Sequence, residues 1–367
     1  MSGPQPEARV RRVRIRPPGA ILCSGKERPF PHRGEGRCKE KRLEDKDNMT
    51  TMQIVSVLIF VGVMGAIVSE KVHRTVAAIA GAVILICAKI LTVDSAVGYI
   101  DFNTIGVLIG MMLFVAVVRN SGLFEFMAIK SAKIAKGNPW KIMLLFSILT
   151  AVLSAFLDNV TTVLLVGPMA IAIANILGLN PVPFLLAQIL ASNIGGTATL
   201  IGDPPNIMIG SQAGLSFMDF IVNNGPAVVL ILAATCLCFY FIYGRKMVVD
   251  QAKMDAVMQL DETKSIKNRT LMTKSIVMIC VVVAGFVSHS TLGVESSVIA
   301  LSCAVIMMLI GRQETEEIVL GVEWSTILFF VGLFIVVGGM VETGVITMLG
   351  NLLFEVTGGN ALMMMLL

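Results

Sequence analysis

Apolar runs close to the length of a membrane-spanning helix recur along almost the whole chain, and no other feature limits its fold so strongly. Residues 52–68, 75–91, 104–118, 227–243, 271–287, 296–310 and 326–341 are such runs. Each approaches the roughly 20 residues that cross a bilayer as a helix. They are apolar on every face rather than along one stripe, which argues against a soluble helical bundle. Of the 367 residues, 55% are hydrophobic and 15% charged, more apolar surface than a soluble chain of this length can hide. The expected fold is an all-α polytopic membrane protein.

The net charge of +4 is unevenly distributed. Residues 1–48 carry 13 Lys/Arg and 7 Asp/Glu, so the remainder sums to −2. The basic balance belongs to this segment, so the core offers nothing that calls for a nucleic acid. The segment lacks the apolar h-region of a secretory signal. It reads as a basic disordered tail, or as a mis-assigned start upstream of Met49 or Met52. Five of the seven cysteines fall in or beside apolar runs, where Cys acts as a small hydrophobe. Neither a disulfide framework nor a metal cluster is expected.

Lys and Arg mark cytoplasmic loops. Lys71 and Arg74 follow the first run, and Arg119, Lys130, Lys133, Lys136 and Lys141 follow the third. Arg245, Lys246, Lys253, Lys264, Lys267, Arg269 and Lys274 crowd the connection after Gly244. Connections 92–103 and 214–226 carry only acids. The chain is expected to start outside, with the loops at Lys71 and Arg245 inside. That topology puts the basic segment outside, against the charge rule, and favours the mis-assigned start.

The second half echoes the first at one constant offset, the one that carries Asp101 onto Glu323. At that offset Thr104 matches Thr326, Gly110 matches Gly332, Gly122 matches Gly344, and Gly137-Asn138 matches Gly359-Asn360. Five spans plus one re-entrant element per repeat would turn the second repeat upside down, as in secondary transporters. The expected organisation is a first transmembrane repeat at 49–245, a cytoplasmic linker at 246–271, and a second repeat at 272–367. By that reading the second repeat is truncated, since the counterpart of 146–244 is missing from the sequence.

Between Ile142 and Gly244 there is no Lys or Arg, and the acids are Asp158, Asp203 and Asp219. Asp219 reads as an interfacial loop residue. A charge at bilayer depth is costly unless solvated or paired, so Asp158 and Asp203 imply a bound cation, a proton, backbone amides or cavity water. The run 142–177 is too long for one span and predicts a hairpin dipping in from the cytoplasm. Its tip would be Asp158-Asn159, capping the second helix. In 191–206, Gly195-Gly196 and Pro204-Pro205 predict a broken helix, with Asp203 as N-cap and Pro204 in the first turn. Helix N-termini there suit anions and free carbonyls suit cations. No Gly-Lys-Ser/Thr follows the glycines, and His73, His289 and His32 sit away from these acids, so neither nucleotide binding nor Ser-His-Asp catalysis is expected.

These motifs, with Ser69-Glu70-Lys71-Val72-His73-Arg74-Thr75, resemble the citrate-transporter-like permeases of the Ion Transporter superfamily. The likeness extends to the branch that contains the melanocyte P protein, and less fully to arsenite efflux permeases and a sodium/proton antiporter family. The resemblance implies an ion-coupled secondary transporter, not an enzyme, moving a small ion or anion by an elevator-like motion. It implies a homodimer in the plasma (inner) membrane of a prokaryote. A passive anion channel, the membrane subunit of an ATPase-driven arsenite pump, and an inactive fragment are the alternatives. Carried over residue by residue, the site falls on Asp158, Asn159, Thr161, Thr162, Asn193, Gly195, Gly196, Thr197, Asp203 and Asn206. Sodium, if it is the coupling ion rather than a proton, is expected at Asp158, Asn159 and Asn193. No resident cofactor is expected. In the dicarboxylate branch the tip reads Ser-Asn-Thr; Asp158 here speaks against a dicarboxylate substrate and leans toward cation or proton coupling, or toward a small inorganic substrate.

Overall fold

The computed structural model describes residues 35–358 and 363–364, with side chains from Thr51 onward. Residues 1–50 and 51–367 form separate units, and the second contains every candidate span. The expected tail falls mostly outside the described residues; its part from Glu35 onward is helical, because α1 (Glu35–Val68) begins there. Gly359-Asn360, the last expected repeat match, also lies outside them.

Among the described residues the secondary structure is entirely helical. After α1 come α2 (Arg74–Cys87), the short α3 (Val93–Gly98), α4 (Phe102–Arg119) and α5 (Leu123–Ile134). The hairpin is α6 (Pro139–Ser154) and α7 (Asn159–Leu177), and the broken helix is α8 (Val182–Gly196) and α9 (Pro204–Ala213). Then follow α10 (Phe217–Ile242), α11 (Gln251–Met258), α12 (Arg269–Leu292), α13 (Ser296–Gly311), α14 (Thr315–Leu320), α15 (Trp324–Glu342) and α16 (Val345–Thr357). Six of the helices are long and apolar enough to cross a membrane. Their outward residues are apolar, as with Leu230, 71% exposed on α10, and a surface in contact with lipid requires this. Asp219 lies not in a loop but in the first turn of α10, where it and Ser216 form a reciprocal cap.

The repeat offset read from the sequence recurs in the elements. The starts of α13, α14, α15 and α16 are the starts of α2, α3, α4 and α5 carried forward by the step from Asp101 to Glu323. Asp101 and Glu323, the matched residues before α4 and α15, each accept from the Thr hydroxyl three positions on, Thr104 and Thr326. Contacts between the matched elements are crossed. Helix α4 packs on α13, and α15 packs on α2. A Cβ on Gly110 would fall 2.6 Å from the carbonyl carbon of Ala300, and one on Gly332 would fall 2.7 Å from that of Ala78. Asn103 accepts from the Ser297 amide at 3.0 Å, and Ser325 O accepts from the Thr75 hydroxyl at 2.7 Å. Each pair is the other with the repeats exchanged. Small residues at these crossings let two backbones meet where the bilayer offers no hydrophobic drive for association.

The matched helices α4 and α15 run antiparallel. Tyr99, ahead of α4, packs on Gly338 near the end of α15, while Gly321, ahead of α15, lies against Ala116 near the end of α4.

The segment 246–271 is folded. Val257 of α11 is fully buried, in the cluster that also holds Ile142, Phe146, Ile173 and Phe184 of the hairpin and α8. The segment touches three chain reversals. Ser265 O presses on Gly122, Met254 on Gly137, and the Lys253 ammonium on Gly178. Gly122 has φ +82°, a conformation that side chains resist, and a Cβ there would overlap Ser265 O. Lys133 of α5 pairs with Glu262.

Candidate functional site

The hairpin turn and the helix break meet. Asp158 has extended backbone at the N-cap of α7, and its Oδ2 accepts from the Thr161 amide at 2.9 Å, one of the helix's orphan donors. Asn159 projects toward the break. Its Nδ2 donates to Asn193 Oδ1 and to Asp203 Oδ2, each at 3.2 Å, and its Oδ1 accepts from the Ser154 hydroxyl at 2.6 Å. Gly196 has no side chain because Asn159 Oδ1 occupies the space where its Cβ would stand.

Residues 197–203 are unwound. Two carbonyls freed there, Gly196 O and Thr199 O, accept from the Asn206 amide at 3.1 and 2.9 Å. Backbone polar groups released by a break in a helix need such partners wherever water is scarce. Pro204 opens α9, and Asp203 stands at its N-cap as expected. The expected side-chain cap does not form; the Asp203 carboxylate faces Asn159 instead. Thus α7 and α9 begin at one junction and α8 ends there. Two partially positive helix ends and one partially negative end meet at the junction that carries Asp158, Asn159, Asn193 and Asp203.

The other predicted residues divide. Thr161 is half-buried and lines a separate cavity with Arg119. Thr162 is buried with its hydroxyl unpartnered. Thr197 bonds back to Asn193 O at 2.9 Å. Gly195 does not face the junction; it is pressed against the backbone of Ala151 and serves the α6–α8 contact.

Three contributors escaped the sequence reading. Ser154 holds Asn159. Thr199, buried, donates to Ala155 O in the hairpin turn and accepts from the Gly202 amide at 3.2 Å, tying the two breaks together. Asn224 of α10 donates to Thr197 O at 3.4 Å. The pattern Asn223-Asn224-Gly225-Pro226 inside an apolar run was the available signal for the last.

Two cavities with polar linings flank this region, toward opposite ends of α4. One of about 330 Å³ is lined by Asn103, Leu200, Ile207, His289, Glu295 and Ser296 among others, and so reaches the broken helix. The other, about 70 Å³, reaches Thr161, three positions past Asp158.

The model of the citrate transporter family matches residues 64–367. An uncharacterized transporter of Mycobacterium tuberculosis is 40% identical over 314 residues, covering 84% of this chain and 73% of its own length. A 46 kDa membrane protein of Mycobacterium leprae is 37% identical, covering 86% of this chain and 75% of that protein. The P protein of Sus scrofa is 28% identical, covering 81% of this chain and 44% of that protein. With a helical polytopic fold, a hairpin and broken helix in contact, and a family match over most of its length, the chain is an integral multi-pass membrane protein that belongs to the citrate transporter family.

Proposed function

We propose that this protein is an ion-coupled secondary transporter of a small ion or anion, and that the Asp158–Asn159–Asn193–Asp203 junction is where coupling ion and substrate meet. The observation that carries this is the convergence of both breaks on Asn159, whose amide joins Asn193 and Asp203. Carboxylate, amide and backbone oxygens line the junction, and Lys and Arg are absent from all of 142–244. Such a set suits a hard monovalent cation such as sodium, or a proton on a carboxylate. The ends of α7 and α9 supply the complementary positive potential for an anion.

The repeats are read as inverted. The antiparallel course of α4 and α15 and the exchanged contacts of Gly110 and Gly332 support this, because a two-fold axis across the helices produces both. Cavities approaching the two breaks from opposite ends of α4 fit alternating access, with hairpin and broken helix moving as an elevator-like unit in a homodimer.

The test is uptake by the purified protein in proteoliposomes. A sodium or proton gradient is expected to drive accumulation of a small anion, or of a counter-ion, against its own gradient. Purely downhill flux identifies a passive channel and refutes the coupling. Absence of any flux dependent on the protein refutes transport by this chain.

A further inference from the structure

One difference between the matched ends of α4 and α15 changes the space between them. Tyr99 stands ahead of α4, and its counterpart in the second repeat, ahead of α15, is Gly321. The Tyr99 ring fills the space beside Gly338, where a Cβ would fall 2.5 Å from its Cγ, and its hydroxyl donates to Glu342 at 2.5 Å. In the first repeat, Gly338 and Glu342 correspond to Ala116 and Asn120. At Gly321 there is no ring to fill the matching space, and the cavity of about 70 Å³ lies there. Gly321 has helical φ −73°, so its backbone does not demand glycine.

The open space is chemically specific. Arg119, Asn120, Thr161, Glu317 and Gly321 line it. The one ion pair among the described residues joins Lys133 and Glu262, so the Arg119 guanidinium is within 4.0 Å of no described carboxylate, Glu317 included. The Asn120 amide uses one hydrogen on Gln313 Oε1 at 2.8 Å and has a second to give. Thr161 brings a hydroxyl from the hairpin tip.

We infer that this cavity is a binding site for a small oxyanion, a carboxylate or an inorganic ion of similar size, with Arg119 as its anchor. A guanidinium presents parallel donors that match two oxygens of such an ion. Asn120 and Thr161 line the same cavity and can add an amide and a hydroxyl donor. Glu317, on the same wall, repels the anion and limits its affinity. The site opens where the other repeat is closed by Tyr99 because glycine replaces tyrosine. Binding here requires no coupling ion and no transport, so it stands or falls apart from the preceding proposal.

The experiment is equilibrium binding to the purified full chain in detergent, read as the shift of thermal unfolding with acetate, bicarbonate or phosphate against chloride at constant ionic strength. Saturable stabilisation by at least one of the three is expected. Arg119→Gln should weaken it by about tenfold or more, the loss of a charge-assisted contact, and Glu317→Gln should strengthen it. The pair Ala116→Gly with Gly321→Tyr rebuilds the closed end and should abolish binding. If that pair fails to fold, the two single variants decide. No saturable shift in the native chain, an unchanged affinity in Arg119→Gln, or weaker binding in Glu317→Gln overturns the inference.

Discussion

Asn159 Nδ2 lies 3.2 Å from Asp203 Oδ2, a hydrogen bond across 44 residues that joins the tip of one helical hairpin to the break in another helix. The same nitrogen reaches Asn193. One amide thereby holds together three polar side chains in an apolar stretch that has no basic residue.

Replacing Asn159 by Ala leaves Asp203 and Asn193 without this donor and the Ser154 hydroxyl without its acceptor. An unmet buried polar group costs roughly 1–3 kcal/mol, so thermal unfolding of Asn159→Ala should fall by several degrees and uptake should be lost. Native uptake rates in a folded Asn159→Ala protein would remove the junction from the mechanism.

Asp158 combines a cap and a charge, and two substitutions separate them. Asn caps as well as Asp, so Asp158→Asn should leave stability within a few tenths of a kcal/mol, while Asp158→Ala should cost about 1 kcal/mol. If the charge serves coupling, both variants lose gradient-driven uptake although one keeps its stability. Coupled transport that persists in Asp158→Asn would assign Asp158 to the cap alone.

Gly110 and Gly332 meet the backbones of Ala300 and Ala78 in one geometry repeated. Gly110→Ala and Gly332→Ala should each destabilise by about 1–3 kcal/mol through overpacking, and by similar amounts. Gly62→Ala, with no neighbour within 4 Å of its Cβ, should be neutral or slightly stabilising in its helix. Unfolding in a graded denaturant measures all three; a harmless Gly110→Ala would disprove the tight crossing.

The docked linker should be sensitive to acid. The hydrogen bond from Lys133 holds the Glu262 carboxyl below its ordinary 4.5, ahead of smaller backbone and charge effects. A depressed carboxyl contributes stability above its unfolded value and loses it as pH falls through the folded value. Proteolysis within 251–265 should therefore rise as pH drops below the ordinary 4.5 of this carboxyl. In Lys133→Gln cleavage should be raised already at neutral pH, and its further rise on acidification should be shallower. Cleavage that does not depend on Lys133 would show that this pair does not hold the linker.

At the other end of the matched helices, Tyr99 is pushed up to about 12 by its hydrogen bond to Glu342, with burial and the carboxylate charge adding to it. A raised value means that the contact contributes below the ordinary tyrosine range and is lost as pH rises through the folded value. Absorbance titration of the native chain against Tyr99→Phe reads the phenol directly. Ionisation of Tyr99 near the ordinary 10.0 would exclude the bond to Glu342.

Much of this was legible in the residues themselves. Apolar runs placed the spans because only a helix satisfies its own backbone in lipid. Asp158-Asn159 and Asp203-Pro204 marked their breaks because a short polar cap and a proline end and begin helices wherever they occur. The constant offset between Asp101 and Glu323, Gly110 and Gly332, reappears in the helix starts, because matched caps begin matched helices. What the chain order could not convey was which sequence-distant atoms meet. That Asp203 turns from its own helix to Asn159, that Gly195 spends its small size on Ala151 rather than on a ligand, that Thr199 ties the breaks and that Arg119 borders Thr161 are outcomes of packing among α4, α6, α7, α8 and α9. Local sequence settles where a helix starts and stops, because capping is a short-range contest among neighbouring groups; the partners of the groups left over are chosen only when the helices close on one another.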